Sequence, residues 1–169
     1  DHDAQKGAAY LALNPHGKIP VLVSGGQAIY ETAAIGLFLA DAHPEAGLAP
    51  APGSAARGDY YKWMTHISNM LQTEFRAWFY PEEVAGPEAA DAAKDQARMR
   101  IEEVWSRLDA HFADGRLHML GEEVTATDFL ATILARWSRN MPRPATAWPH
   151  LGAYVDRMRR RPGLREVHA

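Results

Sequence analysis

Residues 13–40 read LNPHGKIPVLVSGGQAIYETAAIGLFLA, and the order of small motifs in this stretch decides the architecture around it. Asn14-Pro15-His16-Gly17 is turn chemistry. KIPVLV, residues 18–23, is a run that favours a pleated surface, SGGQ is a tight turn and AIY is a returning strand. Residues 18–30 therefore predict a β-hairpin. Glu31 then stands at the mouth of a helix expected over Thr32–Ala42, whose Ala33, Ile35, Leu37, Phe38 and Leu39 are apolar.

Two features of the stretch carry chemistry. Proline has no N–H for a ladder, so Pro20 belongs at a strand edge or a strand's first position. An ordinary trans bond is the common state. A cis Ile19-Pro20 bond would turn the Ile19 backbone outward, where it could pair with an extended, peptide-like ligand by strand addition. Thr32 falls at or near the helix N-cap, where its hydroxyl can satisfy an orphan N–H. Free N–H groups and the macrodipole attract anions there. A ligand carboxylate at that helix start, with Glu31 accepting from a ligand ammonium, would bind the zwitterionic end of an amino acid. The alternative is that Glu31 only complements the helix dipole.

Outward from this stretch the chain changes character. HPEAGLAPAPGS, residues 43–54, is rich in proline and glycine and reads as a linker. Beyond it everything reads helical. One long helix is expected from about Ala55 to Phe79, with Tyr60, Trp63, Met64, Ile67, Leu71, Phe75 and Trp78 as its buried stripe. Pro81 and Gly86-Pro87 end it. A second is expected from about Glu88 to Ala113, with Met99, Ile101, Val104, Trp105, Leu108 and Phe112 buried, and shorter helices close the chain. The expected division is residues 1–42, a linker 43–56, and an all-helical unit 57–169. Thr125 with Asp128 three residues on is a capping box, and Val124 and Phe129 hold the two positions of a hydrophobic staple. That is a folding device with no functional role.

Composition narrows the function classes. The 169 residues carry a formal net charge of −3, which points neither to nucleic acid nor to an anionic membrane. No apolar run reaches the roughly 18 residues of a membrane span. There is no cysteine, which removes disulfides, thiolate metal sites and a cysteine nucleophile and is compatible with a reducing cytosol. The histidines do not fall at metal-ligand spacing, and no metal is expected. The basic run RMRRRPGLR, residues 157–165, reads as a solvated helix face or helix C-terminus.

NPHGKIPVL followed by a hairpin and ETAAI, then the TATD box and the ending WPHLGAYVDRMRRRPGLREV, together resemble the cytosolic glutathione S-transferase family. Thr32 stands where the family has serine, which keeps the hydroxyl. WMTHISNMLQTEFRAWF, residues 63–79, is most similar to bacterial members, including the beta class. The resemblance implies an α+β, mostly helical fold: a partial thioredoxin-like ββα unit followed by the family's all-α C-terminal domain. It implies glutathione as co-substrate, with Ile19 pairing through its backbone to the cysteinyl unit before a cis bond at Pro20. Glu31 and Thr32 would hold the γ-glutamyl end, and Lys18 would reach the glycyl end. The family's first βαβ half, which bears its catalytic serine, tyrosine or cysteine, has no counterpart in these residues, so no catalytic residue is assigned. The start DHDAQKG carries no initiator methionine or signal peptide, and the expectation is an N-terminal segment not represented here. As it stands the chain is expected to hold its first 42 residues loosely and to bind glutathione poorly.

The implied reaction is attack of glutathione thiolate on a small apolar electrophile, seated between the hairpin layer and the long helix near Thr65, Gln72 and Arg76. These three are equally compatible with a solvated helix face. Alternatives on the same fold are a glutathione-dependent isomerase, dehalogenase or etherase, and a non-catalytic binding module. The family resemblance also implies a cytoplasmic homodimer. The long helix carries more aromatic surface than one small bundle needs, Tyr60, Tyr61, Trp63, Phe75, Trp78, Phe79 and Tyr80, and some of it suits burial against a second copy.

Overall fold

The computed structural model describes residues 3–168; Asp1, His2 and Ala169, the outermost residues of the two expected units, lie outside the described residues. The chain opens with a short helix α1 (Ala8–Leu11), followed by strands β1 (Val21–Ser24) and β2 (Gln27–Tyr30) and helix α2 (Thr32–Ala42). The strands pair antiparallel with Val21 opposite Tyr30 and Ser24 opposite Gln27, so Gly25-Gly26 alone make the turn. Both glycines have positive φ, +57° and +81°, the conformation a two-residue hairpin turn demands. The edge of β1 away from β2 has no strand partner among the described residues, and Val23 is exposed on it. The Ile19-Pro20 bond is cis, as the family resemblance implies.

The linker is docked rather than loose. The Leu48 carbonyl accepts from the Ala126 N–H at 2.9 Å, and Leu48 and Ala49 pack on the core. Ser54 caps the next helix, α3 (Ala55–His66), by accepting from the Arg57 N–H at 3.2 Å. Arg57, itself buried, pairs with Asp41 and donates to the Pro50 carbonyl at 2.9 Å, which clasps the two ends of the segment. Asp41 raises the Arg57 pKa accordingly.

The long helix is not continuous α-helix. After α3 the backbone winds as a π-helix over Ile67–Gln72 and returns to α-helix in α4 (Thr73–Phe79). The expected stripe is nonetheless inward: Tyr60, Met64, Ile67, Leu71 and Phe75 are buried, and Trp63 and Trp78 pack partly buried against them. Helix α5 (Pro81–Ala85) leads to α6 (Ala90–Phe112). On α6 Met99 is 55% exposed, against expectation, and Ala97 takes the inward place, four residues before Ile101 on the same face.

The closing helices are α7 (Ala126–Trp137), α8 (Pro149–Arg159) and α9 (Pro162–His168). Asp128 is their hub. It is fully buried and accepts from the Thr125 N–H at 2.8 Å, the Thr125 hydroxyl at 3.0 Å, the Met119 N–H at 2.8 Å and the Tyr154 hydroxyl at 3.0 Å. Burial, then the Asp128 carboxylate, push the Tyr154 pKa well up. The fold is the expected mostly helical α+β type, a ββα unit leading into a helical bundle. Among the described residues no helix is long and apolar enough to cross a membrane.

Candidate functional site

The loop before β1 is built by Asn14. This side chain is 2% exposed; its Nδ2 donates to the Lys18 carbonyl at 2.7 Å and its Oδ1 accepts from the His16 N–H at 3.1 Å. The Tyr10 hydroxyl donates to the same Lys18 carbonyl at 2.8 Å. Gly17 completes the turn at φ +58°, where a Cβ would also meet the Gln5 carbonyl oxygen at 3.2 Å. The sequence signal was present, since an asparagine ahead of Pro-x-Gly is placed to accept from the N–H two residues on. The clamp presents Ile19 outward, 76% exposed, and neither its N–H nor its C=O is bonded to another described residue.

Glu31 follows β2 with φ 74°, the one non-glycine residue in the left-handed region among the described residues. It, and not Thr32, is the N-cap of α2; Thr32 is the first helical residue, and no side chain caps the helix. The first N–H groups of α2 are thus left open, which corrects the expectation that the Thr32 hydroxyl would satisfy one of them. A non-glycine residue held at positive φ persists only where its surroundings impose it, and such residues cluster at ligand clamps.

A cavity of about 850 Å³ lies between this unit and the bundle. On one side it is lined by Lys18, Ile19, Pro20, Glu31 and Thr32. Facing them are Gln72, Phe75, Arg76, Phe79, Tyr80 and Trp137. Gln72 and Arg76 therefore both line the cavity. The Gln72 side-chain carbonyl oxygen is buried with no hydrogen-bond partner among the described residues. Arg76 is committed at the rim, paired with Glu83 and stacked over the Tyr80 ring at 4.5 Å.

Thr65 is exposed and does not line the cavity. In a regular α-helix the seven residues from Thr65 to Gln72 close two turns and align the two side chains. The i→i+5 winding of the π segment takes more residues per turn and rotates Thr65 off that face.

The bundle-side wall of the cavity is aromatic, which sequence reasoning missed. Phe75 and Phe79 stack with ring centroids 5.8 Å apart, and Trp137 meets them edge-on at 5.7 and 6.1 Å. Phe75 and Phe79 were legible as neighbours four apart; Trp137 arrives from α7 through tertiary packing and has no local signal. Among the described residues no group of histidine and carboxylate side chains could hold a metal ion.

A hairpin–helix unit with an open helix N-terminus, set across a cavity from a helical bundle, is the glutathione-transferase arrangement. Family models agree: the glutathione S-transferase N-terminal domain matches residues 1–42 and the C-terminal domain matches residues 91–157. Glutathione S-transferase GST-4.5 of Xanthomonas campestris is 27% identical over 159 residues, which are 94% of this chain and 78% of that protein. The structure of a sphingomonad glutathione S-transferase complexed with glutathione superposes with a TM-score of 0.82 at 30% identity, covering 95% of this chain and 77% of that one. Elongation factor 1-gamma 3 of rice is 26% identical over 170 residues, 97% of this chain but only 39% of that protein. The chain belongs to the glutathione S-transferase family of enzymes.

Proposed function

We propose that the cavity binds glutathione along the edge of β1 and that the protein conjugates its thiolate to small apolar electrophiles. The observation that carries this reading is the pairing of an unbonded Ile19 backbone with Glu31 held at φ 74° beside the uncapped start of α2. The Ile19 N–H and C=O take the cysteinyl unit as an added strand. The γ-glutamyl carboxylate lies at the α2 N-terminus, where free N–H groups and the dipole favour an anion. Glu31 accepts from the γ-glutamyl ammonium, Thr32 lines the same end, and Lys18 meets the glycyl carboxylate. Catalysis by this family's chemistry lowers the thiol pKa towards neutrality, and no residue of the chain is assigned as the group that does so. The electrophile lies against Phe75, Phe79 and Trp137, with Gln72 as the polar group facing it. Arg76 holds the rim. Thr65 is left out of this site. The working form is a cytoplasmic homodimer, to which the exposed Tyr61 contributes surface.

The test is calorimetry with glutathione. A charge-assisted hydrogen bond of this kind is worth about 1.5–3 kcal/mol, so in a form that carries the first βαβ half Glu31→Ala should weaken binding by roughly tenfold or more. Unchanged affinity would remove Glu31 from the site. The likeness to a rice elongation factor subunit supports a second reading, a binding module of the same fold without transferase activity. Glutathione binding without turnover of any aromatic electrophile would favour it.

A further inference from the structure

The arginines of this chain divide sharply. Arg57, Arg76, Arg98, Arg100, Arg107 and Arg116 each meet a carboxylate. Among the described residues no arginine from Arg136 onward does. Between Phe129 and Arg165 the only acidic residue is Asp156, so this region is strongly cationic in a chain whose net charge is −3.

Three of these unpaired guanidinium groups surround one small cavity. It lies between α7, the 3-10 turn Ala145–Ala147 and α8, has a volume of about 140 Å³, and is lined by Arg136, Arg139 and Arg159 together with Ala135, Pro144, Thr146 and Val155. Its floor is firm: Ala135 and Val155 belong to the buried core. Its walls are held close by Gly152, at which a Cβ would lie 2.7 Å from the Thr146 carbonyl oxygen. Among the described residues no carboxylate lines it.

We infer that this cavity is a second ligand site, distinct from the glutathione cavity, that takes a compact organic carboxylate. The guanidinium fork matches a carboxylate in two parallel hydrogen bonds; Arg139 donates to the Arg136 carbonyl at 3.3 Å, but none of the three forks meets a carboxylate among the described residues, and together they favour an anion. The apolar floor gives no benefit to a bare inorganic anion but buries a ring or branched body. A volume near 150 Å³ accepts benzene in an apolar cavity, so the body is about that size. Arg139 lines both this cavity and the larger one, so the two sites share a wall.

The probe is benzoate, followed by residue-resolved NMR and calorimetry on the full chain. Benzoate should shift amides over residues 135–159 saturably. Arg159→Gln and Arg136→Gln, both folded by circular dichroism, should each weaken it at least fivefold, while Glu31→Ala leaves it unchanged. Benzamide, the neutral isostere, should bind at least tenfold more weakly. The inference is overturned by absence of saturable benzoate binding, by equal binding to both arginine variants, by equal binding of benzamide, or by inorganic phosphate binding as tightly as benzoate. Shifts confined to residues 16–32 would assign benzoate to the larger cavity and also overturn it.

Discussion

Replacing Asn14 by alanine separates the folding role of the Asn-Pro-His-Gly-Lys loop from its binding role. The side chain makes two hydrogen bonds, to the Lys18 carbonyl at 2.7 Å and from the His16 N–H at 3.1 Å. The Lys18 carbonyl keeps the Tyr10 hydroxyl at 2.8 Å, so it is not orphaned. The His16 N–H loses its only partner. Two neutral hydrogen bonds at about 0.5–1.5 kcal/mol each give a loss of roughly 1–3 kcal/mol. That loss is local, because the Gly17 N–H still donates to the Asn14 carbonyl and the hairpin register is set by the Gly25-Gly26 turn. A local loss of about 1–3 kcal/mol that glutathione must restore on binding weakens affinity by about 5- to 150-fold. Urea unfolding gives the global cost, calorimetry the affinity, and hydrogen exchange at His16 the release of its N–H. A variant that loses stability but binds glutathione as the parent does would refute the claim that Asn14 positions Ile19 for the ligand.

Two other substitutions and one titration address the bundle. Thr125→Ala removes one bond to Asp128 and should cost about 0.5–2 kcal/mol in urea unfolding while leaving glutathione affinity unchanged; equal stability would count against the cap. Tyr60 is fully buried, its hydroxyl has no hydrogen-bond partner among the described residues, and burial pushes its pKa up to about 12. A buried unsatisfied hydroxyl costs about 1–3 kcal/mol, so Tyr60→Phe should stabilise by about 1 kcal/mol, and a loss of that size would refute it. His111 is lowered in pKa first by burial and further by Arg116, whose Nη1 is 3.0 Å away. The unfolded chain then binds more protons below pH 6.5, so stability is full above that value and falls as pH drops through the folded pKa. Imidazole NMR should place the folded titration below 6.5, and a midpoint at or above 6.5 would reverse the sign.

What the sequence made legible was local. The Gly-Gly turn, the Thr125–Asp128 box and the placement of Glu31 each depend on residues within a few positions of one another, and the structure has all three. Features set by helix winding were not legible. Thr65 was expected beside Gln72 and Arg76 on one continuous helix, and the π turn at Ile67–Gln72 takes it off their face. Met99 failed for a simpler reason: it is apolar but sits two residues from Ala97 and Ile101, off the inward face. Trp137 and the docking of the proline-rich segment on α7 arise from tertiary contact alone, and composition gives no sign of either.

Both walls of the cavity hang on one helix. At the N-terminal end of α7 the Ala126 N–H holds the linker at Leu48, and Gly36 of α2 lies beside it, where a Cβ would sit in ordinary contact with the Ala126 methyl at 4.0 Å. At its C-terminal end Trp137 closes the aromatic wall with Phe75 and Phe79. The twelve residues of α7 thus set the span between the side that carries Glu31 and the side that carries the aromatic rings. At 1.5 Å per residue α7 is about 18 Å long, a length fixed by backbone hydrogen bonds within the helix. Asp128 fastens this bar to the Met119 backbone and to Tyr154 of α8, so its hydrogen bonds govern how firmly the bar is held and not how long it is. Loss of one capping bond therefore lowers the stability of the whole unit while the two walls keep their separation. That is why Thr125→Ala is expected to change unfolding and not affinity, whereas Asn14→Ala, which acts on one wall alone, is expected to change both.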